Sequence, residues 1–160
     1  APAASAVDTP RLGPTSRRMS ERDAGLAHLV LRLTLGVNLA LHGLVRLPKI
    51  TGFAEGLKGA FAETILPGDL VWVFAVTLVI AEAVVGVLLV LGVFQRWTLV
   101  AGGLLMTSLV FGTALREDWG TLGTQMIYVL IYYVTLRDLR HDRYSIDAWL
   151  QSRRASTSSS

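Results

Sequence analysis

The sequence predicts an all-α integral membrane protein, a four-helix bundle with an interfacial or re-entrant segment between its first and second spans. Three observations carry this. Of 160 residues, 52% are apolar and only 17% are charged, against about 25% charged in average soluble chains. The mean hydropathy is +0.50. Four stretches approach the roughly 20 apolar residues needed to cross about 30 Å of hydrocarbon at ~1.5 Å per residue. The absence of cysteine excludes a disulfide framework, a CxxC redox pair, thiolate iron–sulfur ligation and a covalently attached c-type haem, because each needs sulfur. Any redox chemistry must therefore come from a borrowed cofactor.

Residues 1–23 read as an extended N-terminal arm rich in Ala, Pro, Ser and Arg. They contain no apolar stretch of the signal-peptide kind, so the first span is expected to direct insertion itself. By composition, residues 1–16 and 155–160 are expected to be disordered. The first span runs from about Leu26 to Val45, and Ser20-Glu21-Arg22-Asp23 opens it with a capping-box pattern. Next come Ile50, Phe53, Leu57 and Phe61 at near-helical spacing, with Glu55 and Lys58 elsewhere around the wheel. Gly52, Gly56 and Gly59 argue against an independently stable helix there. A short amphipathic or re-entrant element capping the far side is expected, either a lid or a connector resting on lipid.

The second span, Trp72 to Phe94, is the clearest, because Val84–Leu91 is apolar on all sides. Asp69 stands where its N-cap belongs. The third, Trp97 to Leu115, offers Gly102, Gly103, Thr107, Ser108 and Gly112 for close helix packing. The fourth, Trp119 to Leu136, is short and holds Gln125, with Asp118 as its N-cap. Thr121, Gln125, Tyr128 and Tyr132 follow i, i+4, i+7, i+11 and share one inward face, which lines a pocket or stitches helices together. Residues 24–137 then form the membrane domain, and 138–160 a basic, Ser-rich tail.

Four spans return both termini to one side. Arg11, Arg17, Arg18, Arg22, Arg96, Arg137, Arg140, Arg143, Arg153 and Arg154 flank that side, against Arg46, Lys49, Lys58 and Arg116 on the other. Basic residues are retained in the cytoplasm, so both termini are expected there and the protein in the inner, cytoplasmic membrane. The same excess, with a pI near 9.7, faces anionic lipid headgroups and gives no reason to invoke nucleic acid.

A charge inside a span costs roughly 2.5–3.5 kcal/mol, so each intramembrane ionisable residue is a candidate site. Glu82 lies in mid-span, flanked by Ala81, Ala83 and Gly86. On span one, Thr34, Asn38 and His42 form one stripe, while Arg32 aligns with Gly36 and Gly43 on another side. Centring the spans on each other brings Arg32 and Glu82 to similar depth. Three readings stand for Glu82: a structural ion pair with Arg32 that fixes helix register, a protonated carboxyl bonded to Asn38, or a carboxyl that handles protons or binds a headgroup. His42, read as the histidine deepest in a span, suits a quinone carbonyl, one axial position of haem or chlorophyll, or simple packing. No metal cluster is expected, and no Walker loop, GxGxxG turn, HExxH or nucleophile elbow is present. By itself the chain is poorly equipped for catalysis.

Three features in fixed order carry a resemblance: Arg32 leading to His42-Gly43, with Lys49 and Gly52-Phe53 after it; Glu82 with Gly86 and Leu91-Gly92; and Arg96 before span three. Over about Leu29–Arg137 the chain resembles the DoxX family of four-span membrane proteins, which includes the DoxD subunit of thiosulfate:quinone oxidoreductases. The resemblance implies a four-helix membrane bundle associated with quinone-linked or sulfur-linked oxidoreductases. Arg32, His42, Gly43, Glu82, Gly86 and Arg96 match, and the family's basic residue after the His-Gly pair is matched by Arg46 or Lys49. Two functions follow as expectations. One is an accessory membrane subunit of a larger respiratory or photosynthetic electron-transfer complex, held against other membrane subunits. The other is a quinone-interacting subunit with a headgroup or pigment site formed by His42, Asn38, Glu82, Tyr128 and Gln125.

Overall fold

A computed structural model describes residues 19–157, and among these every regular element is a helix. The elements are α1 (Glu21–Arg46), a 3-10 turn (Leu47–Lys49), α2 (Ile50–Ala60), α3 (Gly68–Leu91), α4 (Gln95–Leu115), α5 (Trp119–Arg137), a second 3-10 turn (Leu139–His141) and α6 (Ile146–Thr157). The helical stretch Glu21–Ala60, α3 and α4 are each long and apolar enough to cross a membrane. With α5 they make a four-helix membrane bundle, with α2 intervening between the first and second spans.

Ser20 caps α1 by accepting from the Asp23 amide at 3.1 Å, and Asp118 caps α5 by accepting from the Thr121 amide at 3.1 Å. Asp69 does not cap α3. Pro67 holds that position, and Asp69, one residue into the helix, receives Lys58 Nζ of α2 at 2.9 Å. Phe94, expected inside the second span, lies in the turn after it with φ 49°, next to Gly92 at φ 74°. A glycine is required at 92 twice over, because an added Cβ would also stand 2.3 Å from Arg32 Nη1.

The α1–α3 contact sets the register of the bundle. A Cβ on Gly43 would fall 2.2 Å from the Ala83 amide nitrogen, and one on Gly86 2.1 Å from that of Ala40. These backbones touch because no side chain separates them. Aligning Gly43 with Ala83 slides α1 by about two turns, roughly 11 Å at ~1.5 Å per residue, from a centre-on-centre arrangement. The first turns of α1 therefore project past the end of α3, where residues 141–144 wrap them around Gly25.

α2 continues beside the first half of α3. Ala54 is fully buried, and the Phe61 ring lies against Gly112 of α4. Gly52, Gly56 and Gly59 have open space around their α-carbons. The helix forms despite three glycines because one face is held: by the Lys58–Asp69 pair, by Ala54, and by Arg46 stacked 4.7 Å above the Phe53 ring.

Residues after Arg137 fold back onto the bundle. Ser145 is buried, Arg143 Nη2 meets Glu21 Oε2 at 2.8 Å, and the Asp147 amide donates to Gly92 O at 3.1 Å. Residues Ala155–Thr157, expected to be disordered from composition, complete α6. The Ser/Thr content there does not outweigh the propagation of a helix already nucleated at Ile146. The expected disorder of residues 1–16 and 158–160 lies outside the described residues.

Candidate functional site

Between α1, α3, α4 and α5, roofed by α2, lies a cavity of about 410 Å³. Asn38, His42, Glu82, Gln125 and Tyr128 all line it. The stripe on α1 supplies Asn38, His42 and, one turn on, Arg46; the inward face of α5 supplies Thr121, Gln125 and Tyr128. Phe53 and Leu57 of α2, with Phe61 just after it, form the roof, while Leu39, Leu78 and Met106 close the apolar floor.

Glu82 is 2% exposed, and its Oε2 accepts from Arg46 Nη1 at 2.8 Å; the Arg46 side chain is 28% exposed. This corrects the expected Arg32–Glu82 pair. The two-turn slide of α1 carries Arg32 to the other end of α3 and delivers Arg46 to Glu82. Arg32, 1% exposed, donates from Nη1 to Leu89 O at 3.1 Å and Val90 O at 3.3 Å, and from Nη2 to Tyr144 O at 2.8 Å. It closes the last turn of α3, where carbonyls lack intrahelical partners, and ties that turn to the returning chain.

Gln125 Nε2 donates to Thr113 Oγ1 at 2.9 Å, while Gln125 Oε1 is buried without a partner among the described residues. Tyr132, one turn further on, leaves the cavity lining and buries its ring against Gly102. Arg116 adds a second guanidinium, 5.6 Å from the Phe61 ring centroid.

His42 is exposed and stands at the mouth. It also lines, with Arg46, Lys49 and Phe53, an outer groove of about 680 Å³ between α1 and α2. The most buried histidine is instead His28, at the projecting end of α1 beside residues 138–141. His42 is open because the cavity mouth lies at its level, whereas the returning chain covers His28. Among the described residues, no three His, Cys, Asp or Glu side chains are placed to hold a metal ion.

Chemically, the cavity offers a shielded carboxylate–guanidinium pair, a second arginine, a phenol and an amide with an unused acceptor, all against apolar walls. That combination suits a ligand with a polar head and an apolar body. Sequence reasoning missed Arg116, Thr113 and the pairing role of Arg46. The basic residue after His42-Gly43 was the available signal, and of the two candidates Arg46 reaches Glu82 while Lys49 lines only the outer groove.

No curated protein and no solved structure matches the chain. The family model for DoxX matches residues 27–115, more than half of the sequence, from within α1 to the end of α4. The match includes Arg32, His42, Arg46 and Glu82 but ends before Gln125 and Tyr128 on α5. With its all-helical membrane bundle and a family match over more than half of its length, the chain belongs to the DoxX family.

Proposed function

We propose that this DoxX chain is the membrane subunit of an electron-transfer assembly whose cavity receives the headgroup of a quinone. The observation that supports this reading is the convergence of Asn38, His42, Glu82, Gln125 and Tyr128 on one cavity of about 410 Å³. The residues fit such a group: the Tyr128 hydroxyl would donate to a carbonyl oxygen, Gln125 Oε1, buried without a partner among the described residues, would accept from the hydroxyl of the reduced form, and the Phe53, Leu57 and Phe61 roof would pack a planar ring and its tail. When bound, the quinone supplies the electron acceptor. The chain's own part is to orient the ring, to exclude water beneath α2, and to hold a proton at Glu82, beside the Arg46 guanidinium. The arginine asymmetry supports a cytoplasmic side for both termini and the cytoplasmic membrane for the bundle.

A second reading, a structural subunit that braces a larger respiratory or photosynthetic complex, is favoured by one observation. The Arg46–Glu82 pair at 2.8 Å is complete in itself, and such a pair fixes helix register without a ligand.

The test is purification in mild detergent, with extraction and chromatography of lipid-soluble cofactors and identification of co-purifying chains. The quinone reading expects bound quinone in the wild type and its loss in Glu82→Gln, with folding and partners retained. Quinone-free protein recovered in stoichiometric amounts inside a larger complex, unaffected by Glu82→Gln, would leave the bracing role instead.

A further inference from the structure

We infer that α6 is an interfacial lipid-binding helix, which lies in the headgroup layer at the end of the bundle where α1 begins and binds anionic phospholipid headgroups. Its start is fixed by polar bonds. The Asp147 carboxylate accepts from the Phe94 amide at 3.1 Å and the Gln95 amide at 2.8 Å, its own amide donates to Gly92 O at 3.1 Å, and Arg32 holds Tyr144 O at 2.8 Å. These bonds put the first turn of α6 level with the α3–α4 turn, where two membrane-crossing helices end. Phe94, Trp97 and Tyr144, all exposed, stand at that level, and exposed aromatic rings mark the hydrocarbon–headgroup boundary.

The rest of α6 has no buried residue. Ile146, Trp149, Leu150 and Arg153 follow i, i+3, i+4, i+7 and so share one face. Trp149 is 51% exposed, and the Arg153 guanidinium stacks 4.1 Å from its ring centroid. An apolar face edged by arginines suits a helix lying in the membrane surface, with side chains reaching up to phosphates.

Charge selects the occupant. At this end Arg137 and Arg143 are paired with Asp138 and Glu21, whereas Arg96, Arg140, Arg153 and Arg154 are exposed and form no ion pair among the described residues. A second copy would set this cationic face against itself. An anionic lipid surface complements it, each arginine strengthening attachment about fivefold.

The experiment uses the full-length chain with Trp72, Trp97 and Trp119 replaced by phenylalanine, reconstituted into vesicles of phosphatidylcholine alone or of equal parts phosphatidylcholine and phosphatidylglycerol. Acrylamide quenching of Trp149 is expected to fall about twofold or more in the anionic vesicles, with quenching by brominated acyl chains rising in parallel. Arg153→Gln/Arg154→Gln should abolish the difference, as should high salt. Equal acrylamide access in both vesicle types overturns the inference, as does protection that grows with protein-to-lipid ratio. Phosphatidylglycerol retained on purification, counted by mass spectrometry in the otherwise native chain, gives an independent reading. It should drop in the double-arginine variant, and no drop overturns the inference.

Discussion

Arg46 Nη1 lies 2.8 Å from Glu82 Oε2, joining the last residue of α1 to the middle of α3 at the wall of the cavity. Removing the guanidinium leaves a buried carboxylate unpaired, which typically costs about 3–5 kcal/mol. Arg46→Met should therefore destabilise more than Glu82→Gln, and Arg46→Met/Glu82→Gln should recover much of the loss. Thermal denaturation of the four proteins in one detergent forms the double-mutant cycle. Additive losses would show the two residues uncoupled.

The glycines of α1–α3 and those of α2 should respond in opposite directions. Gly43→Ala and Gly86→Ala force a Cβ onto backbone atoms at 2.2 and 2.1 Å, an overpacking expected to cost about 1–3 kcal/mol. Gly52→Ala and Gly56→Ala meet nothing within 4 Å and should stabilise by roughly 0.5–1 kcal/mol through helix propensity. Melting temperatures that move the same way for all four would contradict this packing.

Arg32 joins three carbonyls that only a forked, planar cation can reach together. Arg32→Met should release residues 138–147 from the bundle at a cost of at least about 3 kcal/mol, and Arg32→Lys should not rescue it. The readout is limited proteolysis, with new cleavage between Asp138 and Asp147 while α3 and α4 stay intact.

The register error shows where the sequence stops speaking. Span limits, the Ser20 and Asp118 caps and the inward face of α5 follow from periodicity and local chemistry, all written in consecutive residues. The Arg32–Glu82 pairing did not follow, because helix slide depends on which backbones touch, and Gly43 against Ala83 is a relation between distant positions. For the same reason the shared cavity was legible as two separate polar stripes, but Arg46 and Arg116 were not legible as part of it. The return of residues 138–157 was hidden behind a Ser- and Arg-rich composition. Long-range contacts account for their placement: Asp147 caps α4 from 52 residues away, Arg32 holds Tyr144 O, and Arg143 meets Glu21.

Asp118 supplies a pH dependence outside the membrane. Hydrogen bonds from the Thr121 side chain and amide hold its carboxyl below the usual aspartate range. Its folded value being depressed, the stabilisation of the α5 start is present above the unfolded value and is lost as pH falls through the folded one. Fraying of residues 118–122 should therefore begin below about pH 4 and be absent in Asp118→Ala, which is frayed at every pH. Amide exchange of Thr121 and Leu122 across that window measures it.

The most direct test of the Glu82 cavity as a headgroup site is photolabelling of the full chain in vesicles with an azido-benzoquinone carrying a short alkyl tail, followed by peptide mapping. The account predicts label on residues 38–46, 53–61 and 121–128, displaced by excess unlabelled quinone and absent in Glu82→Gln. Label confined to the lipid-facing sides of α4 and α5, and not displaced, would contradict it.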